Sequence, residues 1–83
     1  MLSDAAKKQA AVARLDADLR SAKVELLSAQ CAADRIRLQY SVKDIVSFGE
    51  RQTLKRAIAS VDALSRFFSQ IEAQLKQEEE RGE

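Results

Sequence analysis

From Val12 onward the apolar residues fall alternately three and four apart: Val12, Leu15, Leu19, Ala22, Leu26, Ala29, Ala33, Ile36 and Tyr40. This is an unbroken a/d series, with a at Val12 and d at Leu15, and it predicts a long amphipathic helix. Ser3 and Asp4 supply N-cap chemistry ahead of it. A helix over residues 4–40 would be roughly 55 Å long at about 1.5 Å per residue. The alanines in the seam leave room for a neighbouring helix to approach closely.

Past Tyr40 the pattern changes. Ser41, Val42, Ile45, Val46, Ser47 and Phe48 bring in β-branched and capping residues, and Gly49, the one interior glycine, follows. A turn is expected over about residues 41–48. Two helix starts compete there: Ser41 with Asp44 three residues on, and Ser47 with Glu50. The second matches the capping box, in which the glutamate reaches back to the cap backbone. One helix running straight through is the alternative, because no proline forbids it and a lone glycine costs only about 1 kcal/mol.

Downstream, Leu54, Ile58, Val61, Leu64, Phe68, Ile71 and Leu75 predict a second amphipathic helix over about residues 48–77. Its irregular three-and-four spacing reads as a broad face and not as a strict heptad seam. Glu78, Glu79 and Glu80 oppose the dipole at a helix C-terminus, so residues 78–83 are expected to fray.

These elements give an all-α fold in one domain: an antiparallel, coiled-coil-like hairpin of two long amphipathic helices. Its intramolecular seam is expected to join Leu15, Leu19, Leu26 and Ile36 to Leu54, Ile58, Val61, Leu64, Phe68 and Ile71. A chain of 83 residues sits where a single core is marginal, and one cysteine allows no internal disulfide. Oligomerisation or a partner is expected to complete the core.

A second stripe lies on the far side of the first helix. Val24, Cys31 and Leu38 recur at the f position, with Leu27 beside them. One partner helix cannot cover both sides, so these residues are expected to bind another protein, and the bland alternative is ordinary scattered surface. Phe67 and Phe68 are adjacent and cannot both face one core. Phe68 continues the core face, while Phe67 is either a wide core edge or a binding anchor.

Composition then removes whole classes of function. The chain has no histidine, one thiol and no phosphate-cradling glycine loop, so no catalytic residues, metal ligands or cofactor are expected. Cys31 reads better as a small packed hydrophobe than as a reactive thiol, because Gln30 and Ala32 create no electropositive site. A net charge of +1 with interspersed signs argues against a nucleic-acid partner, and Arg35, Arg37, Arg51, Lys55 and Arg56 read as solvated face. There is no apolar run of membrane-spanning length and no secretory signal core in residues 1–8, so a cytoplasmic protein without membrane insertion is expected.

The run Leu54-Lys55-Arg56-Ala57-Ile58-Ala59-Ser60-Val61-Asp62-Ala63-Leu64, following a break at Ser47–Glu50 and a first long helix, resembles the small two-helix co-chaperones of type III secretion needle subunits. The likeness covers the architecture of most of the chain and, residue by residue, roughly Phe48 to Ile71. It implies a bacterial cytosolic protein that pairs with a second, helical-repeat chaperone, the two together holding the needle subunit monomeric before export. The long heptad series from Val12 to Tyr40 departs from that family's pattern and raises self-association, as a coiled-coil adaptor or scaffold, as the competing expectation.

Overall fold

A computed structural model describes residues 3–81 and shows two α-helices, α1 (Asp4–Ser41) and α2 (Phe48–Glu80), folded back on each other along their length. The molecule is a rod of 64 × 18 × 14 Å. Among the described residues there is no strand.

Both helices start on a serine cap. The Ser3 hydroxyl accepts from the Ala6 N–H at 3.1 Å, and Asp4 adds a favourable charge in the first turn. At the second start Ser47 Oγ accepts from the Glu50 N–H at 3.2 Å while the Glu50 carboxylate accepts from the Ser47 N–H at 3.3 Å, the reciprocal pair of a capping box. Ser41 loses the competition because α1 absorbs it: its hydroxyl donates back to the Leu38 carbonyl at 2.8 Å, closing the last turn. Glu50 also accepts a charged hydrogen bond from Lys43 across the loop, and the Lys43 ammonium lies 5.5 Å from the centre of the Tyr40 ring. The break is therefore closed by named interactions, and the continuous helix is excluded.

The seam lies where the α1 series predicts. All nine residues from Val12 to Tyr40 are buried or half-buried, and the most enclosed are the small ones, Ala22 at 2% exposure and Ala33 at 4%. Alanine at a helix contact lets the axes approach closely, which is why the rod is narrow. On α2 the expectation needs one correction. Ile58 is 37% exposed, and Ala57 holds the half-buried seam position instead. The inward residues are then Leu54, Ala57, Val61, Leu64, Phe68, Ile71 and Leu75, a strict a/d heptad with a at Leu54 and d at Ala57. α2 is thus a coiled-coil strand like α1, and its face is narrower than its apolar residues suggest. The remaining seam residues, Leu15, Leu19, Leu26, Ile36, Leu54, Val61, Leu64, Phe68 and Ile71, all face inward, with Ile71 the most enclosed of them at the open end.

The expected fraying over 78–83 also needs correction as far as the described residues reach. α2 continues through Glu80, since Glu78 takes the next inward position and receives the Arg81 guanidinium at 3.2 Å. Lys8 Nζ donates to the Glu79 carbonyl at 3.2 Å, giving the helix end a cation that offsets the three glutamates. Gly82 and Glu83 lie outside the described residues. Counting inward along both helices from the Lys8–Glu79 contact brings Leu19 level with Phe68 and Ile36 level with the first turns of α2.

Candidate protein-binding surface

With both seams assigned, every outward residue has a place on the rod. α1 carries a column of f positions running Ala10, Ala17, Val24, Cys31 and Leu38, all of them exposed. The two large ends of its second half, Val24 and Leu38, are 67% and 69% exposed, and Leu27 at a b position beside them is half exposed. A helix that buries one face against α2 and shows this column on the opposite face is apolar on two sides.

The expected partner-binding residues separate into two groups. Val24, Leu27, Cys31 and Leu38 share the outer surface of α1. Phe67 does not join them. It occupies a g position on α2, and in an antiparallel pair the g positions of both helices line one flank while the e positions line the other. Phe67 therefore lies on the flank that holds Asp18 and Glu25 of α1. Ile58, at an e position, stands on the other flank, the one toward which Leu27 leans. Cys31 is exposed and faces outward from the middle of the column, as its f position predicts.

Sequence reasoning missed a third apolar group. Val42 and Ile45 in the loop and Phe48 at the start of α2 form the tip of the hairpin, and the first two are about as exposed as side chains become, at 84% and 85%. The signal was available, because three large apolar residues in a turn have no seam to enter. Val42 follows Leu38 by one helical turn, so the outer column of α1 runs into the tip.

The electrostatics follow the same division. Residues 20–67, the loop half of the rod, hold nine Lys and Arg against five Asp and Glu, whereas the rest of the chain holds five against eight. The loop half is thus the basic and apolar end, and the open half is the acidic end. Asp16–Arg20 and Asp34–Arg37 pair along α1 on the surface. Glu50 is held below the usual carboxylate range, first by the Lys43 hydrogen bond and then by the backbone and hydroxyl of Ser47. The concavities between the helices lie at the open end and are lined mainly by charged and amide side chains, among them Asp4, Lys7, Lys8, Gln74, Gln77, Glu78 and Arg81.

Among the described residues no group of three or more His, Cys, Asp or Glu is placed to hold a metal ion, and no buried side-chain polar atom lacks a partner. No helix among them is long and apolar enough to cross a membrane. What the arrangement offers chemically is apolar area on a stiff rod. Comparison with protein-family models, with curated proteins and with solved structures yields no match.

Proposed function

We propose that the chain is a non-catalytic protein-binding module, a cytosolic co-chaperone of type III secretion that pairs with a second, helical-repeat chaperone to hold a needle subunit before export. The observation that carries the binding role is the exposed column Val24–Cys31–Leu38 with Leu27 on a helix whose other face is already occupied by α2. Apolar side chains left in water by an otherwise complete fold gain roughly 25 cal/mol per Å² when a partner covers them. The two-helix architecture agrees with what the resemblance over Phe48–Ile71 implies for a secretion co-chaperone. α1 acts as the presenting element and α2 as its splint.

A second reading, a self-associating coiled-coil adaptor or scaffold, is favoured by one observation: both helices carry strict heptads, as the strands of larger coiled-coil assemblies do.

The test is co-expression of the chain with the helical-repeat chaperone and needle subunit of a type III system, followed by gel filtration and mass determination. The expected result is a complex containing this chain. Leu38→Glu and Leu27→Glu should abolish it while leaving circular dichroism unchanged, because a charge there meets desolvation only in the complex. A wild-type chain that elutes without either protein sinks the co-chaperone reading; variants that bind as well as wild type sink the surface.

A further inference from the structure

We infer that, in the isolated protein, the outer column of α1 is covered by a second copy of the chain, lying antiparallel with Val24 at the two-fold axis. The inference rests on the reading of this column as a contact surface and names its occupant when no other partner is present.

Surface area points to a second copy. The chain exposes 6646 Å², whereas a compact monomer of its 9.2 kDa mass exposes roughly 4,900 Å² by the usual scaling of surface with mass. The excess per chain is about twice the roughly 800 Å² that each partner gives up to a standard protein interface. A hairpin in which, among the described residues, only Ala22, Ala33 and Ile71 are buried has this surface to give up.

The column is also complementary to itself in shape. The column tapers, with Ala10 and Ala17 in its first half and Val24, Cys31 and Leu38 in its second. Two copies related by an antiparallel axis at Val24 set Leu38 against Ala10 of the other copy and Cys31 against Ala17, so that each large residue meets a small one. Val24 lies near the midpoint of α1, which spans Asp4–Ser41, so this register also overlaps the two helices over nearly their full length. A parallel pairing stacks large on large at one end and leaves a gap at the other.

Charge along α1 favours the same orientation. Residues 20–41 of α1 hold four Lys and Arg against two Asp and Glu, whereas residues 4–19 hold three of each, so antiparallel overlap sets the basic half of one helix against the neutral half of the other and parallel overlap opposes the two basic halves. Closed two-fold symmetry uses the same column twice, so this pairing stops at the dimer.

Sedimentation equilibrium of the wild-type chain should give twice the chain mass, and Leu38→Glu should shift the dissociation constant at least tenfold while helicity is retained. Orientation is read by oxidative crosslinking in a Cys31→Ser background. Val24→Cys should crosslink with itself, whereas Ala10→Cys and Leu38→Cys should each fail alone and crosslink when mixed. Wild-type protein, with Cys31 facing Ala17, should form no intermolecular disulfide.

A monomeric wild-type chain at tens of micromolar overturns the inference, as does self-crosslinking of Ala10→Cys and Leu38→Cys, which reports a parallel pair. Ready Cys31–Cys31 crosslinking of wild type overturns the register. A monomer that still loses its secretion partners through Leu38→Glu overturns this inference alone. If Leu38→Glu alters neither self-association nor partner binding, the inference and the contact-surface reading fall together.

Discussion

α1 and α2 share one seam but differ in what they show to water. α2 keeps a single apolar face, and apart from Ile58 and Phe67 on its two flanks and Phe48 at the tip its large apolar residues are turned inward. α1 keeps its full heptad against α2 and then repeats an apolar column on the opposite side, from Ala10 to Leu38. Folding therefore takes up one row of α1 and leaves the other in water. A substitution in one row should leave the other row's property standing.

The largest effect expected from a single substitution tests that separation from the folding side. Leu26→Glu places a carboxylate in the seam of a chain that has only a few kcal/mol to spare, and burying an unpaired charge there costs at least as much. Helicity by circular dichroism and solubility should fall together. Retention of both would mean that the a row is not what holds α1 to α2, and the contrast between the two rows would break. A smaller effect is expected at the closed end. Ser47→Ala removes the acceptor for the Glu50 N–H and should cost about 1 kcal/mol in thermal or urea unfolding, as other cap removals do. A loss below a few tenths would show that Lys43 and Glu50 hold the turn without the cap.

The smallest effect is in pH. Glu50 has its pKa lowered in the folded chain, so its contribution is fully present above the unfolded value of about 4.3 and is lost as pH falls through the lower folded value. Melting temperatures of wild type and Glu50→Gln should therefore differ at neutral pH and converge in acid below the ordinary carboxylate range. A gap that persists unchanged into strong acid would assign the difference to shape and not to the charge that Lys43 and Ser47 stabilise.

Much of this contrast was legible in the residue pattern. The α1 series from Val12 to Tyr40 and the Ser47–Glu50 box are local signals, each resolved within a few turns, and the structure places both as the spacing predicts. The errors have a common physical origin. Hydrophobicity marks Ile58 as a candidate for the seam, whereas the close approach of the two helices decides which residue fits, and at this level the smaller Ala57 does. A helix read alone also does not reveal which flank of the hairpin Phe67 will line. Helix extension through Glu78–Glu80 depends on Lys8 and Arg81, the first of which lies at the opposite end of the chain. The tip formed by Val42, Ile45 and Phe48 is masked in the residue pattern by the serine and glycine turn signals that surround it.

The bridge over the loop also sets the order in which the rod can zip together. Lys43 and Glu50 are seven residues apart in the chain, whereas Lys8 and Glu79 at the open end are separated by 71. Loop-closure entropy grows with the logarithm of that separation, so meeting first at the open end costs about 2 kcal/mol more than meeting first at the loop. Each heptad that closes next to the bridge shortens the loop left for the one beyond it. The chain therefore assembles from its basic, apolar tip outward and comes apart from its acidic end, so that thermal breathing uncovers Leu15 and Leu75 well before it reaches Ile36 and Leu54.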